Sequence, residues 1–273
     1  MTQETREPLR TALGRAEHDR VWVRGRDLTG ELLGTATYSD MVSLLLRGEL
    51  PGADERRMID ALLVSLIEHG LVKPVVVARF VYSNAPESLQ AAVAASLLGA
   101  GSRHLGSSEW CARMLQEAVR RDEPIEEAAS RIVDEHRAAG RRIAGIGHRT
   151  HAGGDPRADR LFAIAHETNT FGPHCRLLER IAVVATARAG RGLPVNVTGA
   201  IGAIASDMGY RWEIVRGFAL MARTLGALAH IQEEIDAPLS DRLVRDIQDR
   251  VEYAGIQSAR RSPTRSRGDG GDD

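Results

Sequence analysis

Residues 144–160, AGIGHRTHAGGDPRADR, crowd histidines, arginines and glycines between two stretches that read as ordinary helix. Asp155 followed by Pro156 is a helix start, with an N-cap carboxylate and proline at the first helical position. Gly145, Gly147, Gly153 and Gly154 allow close backbone approach, so His148 and Arg149 sit on a tight loop that leads into a helix N-terminus with Arg157 in its first turn. That arrangement suits an anionic ligand. His148, His151 and Asp155 are metal-ligand types, but no further cluster completes a site, and no metal is expected. The dinucleotide fingerprint fails, because Thr150 stands where its third glycine belongs and no strand precedes it. A solvated, glycine-rich helix connection accounts for the same residues without any ligand. Outside this stretch, Arg223 lies in an apolar segment, where an unpaired guanidinium is costly and calls for an anionic partner. His230, in the same segment, reads as structural. His104 beside Gly106 reads equally as a hydrogen-bonded buried histidine, and His69 beside Gly70 as a residue favoured by the negative end of a helix.

The elements that must position these residues are helical almost throughout. From residue 54 to Gly70 the apolar set Ile59, Leu62, Leu63, Leu66 and Ile67 follows the helical period, and Gly70 suits a left-handed helix end. Comparable patterns occupy 38–48, 86–100, 108–121, 125–139, 156–167, 173–189, 199–208, 212–235 and 240–253. VWVRG at 21–25 is the one plausible short strand. The segment from Trp212 is rich in Gly217, Ala219, Ala222, Gly226, Ala227 and Ala229, which lets it pack closely in a core or a subunit interface. Residues 259–273 have almost no apolar side chain to bury and are expected to be disordered. The 273 residues, 43% hydrophobic and 27% charged, suffice for one large domain or two intimate ones. A net charge of −1 gives no reason to expect nucleic acid or an anionic membrane as partner. The first twenty residues lack the apolar core of a secretory signal, so a cytoplasmic protein is expected. Cys111 and Cys175 read as two buried thiols. Lys73 is the single lysine among 36 basic side chains, a bias that weakens the functional reading of any one arginine.

GIGHRTHAGGDPRADRLFAIA resembles the GxGHRxxxxxDPR segment of the citrate synthase family. The resemblance continues in VRGRDLTGELLGTATYSDMVSLLLRGELP, LLVSLIEHGLVKP, SLLGAGSRHLGSSEW, LPVNVTGAIGAIASDMGY and FALMARTLGALAHIQEE, in the family's order. Within the family, the missing N-terminal extension, Gly199 after the key position and the Asp207–Met208 pair make the chain similar to stand-alone citryl-CoA lyases and to the C-terminal lyase module of ATP-citrate lyase. The resemblance implies an all-α, citrate synthase-like fold. It implies a large helical domain from 1–104 and 211–258, a smaller one from 105–210, a site in the cleft between them and a homodimer.

The implied reaction is carbon–carbon cleavage of citryl-CoA, or a related acyl-CoA, to acetyl-CoA and oxaloacetate. His148 falls at the position of the base, His104 at the histidine that stabilises the enolate oxygen, and Thr198 at the position of the family's catalytic aspartate. His69, Arg149, Arg157, Arg223 and Asn196 fall at substrate-binding positions, arginine forks suiting carboxylates. The loop of Arg141, Arg142, Gly145, Ile146 and Gly147 matches the contact to coenzyme A, which is substrate and product rather than a resident cofactor. Two departures stand out. Thr198 is a poor proton carrier, and Asp207, nine residues on in the same expected helix and about 13 Å away at 1.5 Å per residue, cannot replace a carboxylate there. The family's C-terminal ligand arginine is not visible in EEIDAPLSDRLVRDIQDR. A non-catalytic family member that binds coenzyme A or a carboxylate, as a subunit or regulator, is therefore the alternative expectation.

Overall fold

The computed structural model describes residues 9–101, 105–147 and 154–253. The expected disordered tail and three expected site residues, His104, His148 and Arg149, lie outside the described residues, as does His151.

The fold is mostly helical, as expected. The chain opens on three short antiparallel strands, β1 (Gly14–Ala16), β2 (Val21–Val23) and β3 (Arg26–Asp27), in the order β1-β2-β3 with Trp22 opposite both Arg15 and Asp27. Only the central strand carries the β-branched and aromatic signal that marks a strand in sequence. Asp27 then caps a π-helical turn by accepting from the Thr29 and Gly30 N–H groups.

Eleven α-helices follow among the described residues: α1 (Tyr38–Arg47), α2 (Ala53–Val64), α3 (Lys73–Asn84), α4 (Leu89–Gly99), α5 (Gly106–Val119), α6 (Ile125–Ala138), α7 (Pro156–Glu167), α8 (Pro173–Ala189), α9 (Val197–Asp207), α10 (Trp212–Asp236) and α11 (Ser240–Gln248). Their starts follow local chemistry. Thr37 and Asp40 form a reciprocal capping box on α1, and Asp155 caps α7 with Pro156 at its first position.

Two local readings need correction. The helix expected to run from residue 54 to Gly70 stops at Val64. Glu68 takes the His69 and Gly70 N–H groups onto its own carboxylate, so the backbone turns away six residues before the left-handed Gly70 (φ 70°). Helix α3 was not expected, because KPVVVARFVYSN is an apolar, β-branched run with no clear helical period. It is helical here, packed on α4 and α10.

The core is continuous from Val42 of α1 to Ala222 of α10. At its centre lies α9, in which every residue is buried except Thr198 and Asp207, which are partly exposed. Asp207 accepts from the N–H groups of Gly172, His174 and Cys175 at 2.8, 3.0 and 3.0 Å and so caps the start of α8. Among the described residues α10 is the one helix long and apolar enough to cross a membrane. It packs against α2, α3, α4, α5 and α9, the placement of a core helix.

Candidate active site

The site grows from the N-terminus of α9. Asn196 is its N-cap, with Oδ1 accepting from the Gly199 N–H at 3.0 Å and from the Thr198 hydroxyl at 2.7 Å. The Thr198 proton is thus committed to Asn196, and the threonine oxygen faces outward as an acceptor only. Through Nδ2 the same Asn196 donates to the Gly147 carbonyl at 2.8 Å, which ties the helix start to the 141–147 loop. Backbone contacts between Gly147 and Pro194 and between Asn196 and Gly145 complete the tie at 2.7 and 3.0 Å.

That loop can lie on α9 only because two glycines face each other. Gly145 is left-handed, and a Cβ on it would stand 2.7 Å from Cys111 Sγ and 2.8 Å from the Gly199 Cα. A Cβ on Gly199 would collide with the Gly145 carbonyl oxygen.

Asp155 joins α7 to α9. Its buried carboxylate accepts from the Val197 N–H at 3.0 Å, from the Arg157 N–H at 3.2 Å, and from Arg157 Nε and Nη2 at 3.1 Å each. Burial alone would raise its pKa, but the Arg157 guanidinium and the Val197 N–H outweigh it and hold the carboxyl below its ordinary value. Arg157 is thereby fixed, with part of its fork still facing outward.

Arg223 reaches the same region from α10. Its Nη1 is buried and has no hydrogen-bond partner among the described residues. Burial pushes its pKa down; the negative charge of Glu68 opposes this, and the like charge of Arg157 adds to it. Two guanidiniums near each other, one of them with an unmet donor, make an anion site by charge and by geometry. His69 stands at the edge, in the turn that Glu68 organises.

The 141–147 loop separates two cavities of about 750 and 600 Å³. The larger is lined by Trp110 and Arg113 of α5, by Arg131 of α6 and by Asn196. Arg137 of α6, Arg188 of α8 and Arg191 rim the smaller. Arg141, Arg142, Ile146 and Gly147 line both, and Gly145 lines the larger. The loop therefore presents backbone groups and the charges of Arg141 and Arg142 to open volume, while Arg113, Arg131 and Arg188 on the rims are paired with neighbouring acids. The charge left unpaired among the described residues suits an anionic ligand.

The structure thus brings together Asn196, Thr198, Arg157, Arg223 and the 141–147 loop of the sequence-expected set, and places His69 beside Glu68. Sequence reading singled out Asp155 as a cap but missed its hold on Arg157 and α9. It also missed Glu68 and the arginines of α6 and α8, whose only signal is a basic excess common to the whole chain. Among the described residues no group of three or more His, Cys, Asp or Glu side chains could hold a metal ion.

Known proteins share this fold. The chain resembles the citryl-CoA lyase from Hydrogenobacter thermophilus, with a TM-score of 0.83 and 36% identity over 94% of this chain and 98% of that one. The ATP citrate lyase from Methanothrix soehngenii, solved with citrate and coenzyme A, shares the fold with a TM-score of 0.69, at 22% identity over 85% of this chain and 40% of that one. Citrate synthase 2 of Bacillus subtilis (strain 168) is 26% identical over 227 residues, 81% of this chain but only 57% of that protein's length. The family model described as the citrate synthase C-terminal domain matches residues 36–246, which include the turn at His69, the cap at Asp155, the start of α9 and Arg223. The chain belongs to the citrate synthase family.

Proposed function

We propose that the protein is a citryl-CoA lyase-type enzyme that cleaves citryl-CoA, or a closely related acyl-CoA, to acetyl-CoA and oxaloacetate. The observation that carries this reading is the end-to-end likeness to the Hydrogenobacter enzyme at 36% identity. The open guanidinium of Arg223 beside Arg157 supports it as a seat for a dicarboxylate, and the loop between two arginine-rimmed cavities supports it as a seat for coenzyme A.

In this reading Arg157 and Arg223, with His69, Arg149 and the start of α9 at Asn196, hold the carboxylates. Backbone groups of Gly145, Ile146 and Gly147 hold the nucleotide end of coenzyme A, with Arg141 and Arg142 at the rim. His148 takes the proton of the tertiary hydroxyl as that oxygen becomes the keto group of oxaloacetate. The electrons of the broken carbon–carbon bond pass to the thioester as an enolate, whose oxygen His104 stabilises. A proton must then reach the enolate carbon. Thr198 cannot carry it, since its proton lies on the bond to Asn196; Asp155 and Asp207 cannot either, since both are occupied with backbone donors and held in the charged form. Water supplies it, at a turnover reduced by about 10²- to 10⁴-fold relative to a site with a placed carboxylate.

Assembly belongs to the same proposal. Helix α4 is apolar apart from Gln90 and Ser96, yet leaves Leu98 exposed, and Leu225 and Leu228 of the neighbouring α10 are exposed as well. A second copy of the chain covers this face, giving a homodimer.

One observation favours a second reading. The hydroxyl at position 198 is built into the α9 cap, which fits a family member that binds its ligands without turning them over. Incubation of purified protein with citryl-CoA, following acetyl-CoA and oxaloacetate, decides between the two. The lyase reading predicts release of both products, and a gain of at least tenfold in turnover for Thr198→Asp with little change in the binding constant. Binding of citryl-CoA by parent and variant with no release from either would establish the non-catalytic reading.

A further inference from the structure

Helix α10 presents Arg223, Gly226 and His230 along one face, a turn apart. Gly226 lets this face touch the turn after α2, because a Cβ there would collide with the Ile67 carbonyl oxygen. The same Cβ position is 3.5 Å from Glu68 Oε2. The Glu68 carboxylate therefore lies over α10 between Arg223 on one side and His230 on the other. Its charge is felt at a guanidinium whose Nη1 has no partner among the described residues.

Glu68 nevertheless spends its oxygens elsewhere. Oε1 accepts from the N–H of His69 at 2.8 Å and from that of Gly70. Oε2 lies 3.1 Å from His230 Nε2. The other ring nitrogen, Nδ1, lies 2.9 Å from Arg79 Nη2. A guanidinium only donates, so Nδ1 is the acceptor and the ring proton sits on Nε2, which is buried at ion-pair distance from Glu68 Oε2 although the two do not meet in hydrogen-bond geometry. Arg79 is itself 1% exposed and fixed by Glu233 and by Glu234, whose Oε2 is 3.0 Å from its Nη1. Glu234 also accepts the N–H groups of Leu239 and Ser240 at the start of α11. From α11 to Glu68 the chain of contacts is continuous.

We propose that Glu68 is an internal competitor for Arg223, and that His230, oriented by Arg79, holds it away so that a ligand carboxylate finds the guanidinium open. A carboxylate tethered within a turn of its target acts at an effective concentration that a free metabolite does not match, so an unrestrained Glu68 would close the site. His230 is thus a positioning residue, acting on the ligand only through Glu68. The proposal rests on the reading of Arg223 as a carboxylate seat.

The test is a small set of variants of the full chain, titrated calorimetrically with oxaloacetate and with citrate. His230→Leu frees Oε2, and affinity should fall by about tenfold or more. Adding Glu68→Gln to that variant should restore affinity to within about threefold of the parent, a recovery that mere structural damage would not give. His230→Gln, whose amide offers one acceptor and one donor, should stay near the parent. Glu68→Gln alone should change little, because the side chain is already held off. The crystal structure of His230→Leu should show Glu68 paired with Arg223. Failure of the double variant to recover, tenfold tighter binding by Glu68→Gln alone, or a Glu68 that has not moved in the variant structure would each overturn the proposal. If the parent binds neither acid, the substrate reading fails, and the structure of His230→Leu still decides whether His230 restrains Glu68.

Discussion

Asp155 and Arg223 mark two junctions a short way apart that handle charge in opposite ways. At Asp155 a buried carboxylate is met by four donors from α7 and α9, and nothing is left over. At Arg223 a partly buried guanidinium keeps a donor unmet among the described residues, while Glu68, whose charge acts on it, contacts other neighbours. A buried polar group without a partner is costly to a folded chain, so the first junction is built for stability and the second keeps stability in reserve for a ligand. The difference teaches that residues of equal chemical promise in the sequence divide, once folded, into those that hold the site and those that the site holds out.

Substitution at the two junctions should therefore have opposite signs. The largest effect is expected from Asp155→Ala, which strands the Arg157 charge and the Val197 N–H together. Loss of about 3–5 kcal/mol in chemical denaturation is expected, as for breaking a buried pair from one side. A loss under 1 kcal/mol would show that the junction is not what ties α7 to α9. Next comes Gly199→Ala, whose Cβ has no space against the Gly145 carbonyl. The loop must shift, at a cost of about 1–3 kcal/mol, and affinity for coenzyme A should fall in parallel. Unchanged binding of coenzyme A would separate the loop from that ligand.

Arg223→Met, by contrast, replaces an incompletely paired buried charge by an apolar chain of similar length. Its melting temperature should stay level or rise, within about 1 kcal/mol, while oxaloacetate binding is lost. A marked fall in stability would mean that Arg223 is structural and would erase the contrast. The mildest test is acid. The Asp155 carboxyl lies below its ordinary value of 3.8 in the folded protein, so the unfolded chain binds the extra proton first. Its contribution is complete above about pH 4 and fades as pH falls through the folded value, so the parent should lose stability below pH 4 faster than Asp155→Asn does. Parallel curves would show that other carboxylates, Asp207 among them, govern the acid limb.

Much of this was legible in the sequence because it is local. The Asp155–Pro156 start and the placing of Arg223 in an apolar helix are read from neighbours a few residues away, whereas the role of Asn196 as the cap of α9 was not. The family motifs fixed their order along the chain. What could not be read depends on contacts across the fold. Glu68 looks like an ordinary acid at a helix end until α10 is laid against it, and His230 looks like a core histidine until Arg79 is seen on its far side. Helix α3 was hidden for the same reason, since its apolar run has no polar stripe and only its packing on α4 and α10 decides its form. The expectation that Gly70 ends α2 failed through Glu68 too, whose carboxylate competes for the backbone donors that a longer helix needs.

The facing glycines have one more consequence, for how such a chain can change over generations. Because a side chain at either Gly145 or Gly199 would occupy the space of the other's backbone, the two positions are not free to drift separately. A chain that gains a methyl group at one must first move its loop, and so loses the tie between the coenzyme seat and the start of α9. Two distant letters of the text behave as one, and random mutagenesis with selection for folded protein should leave both untouched while the exposed arginines around them scatter freely.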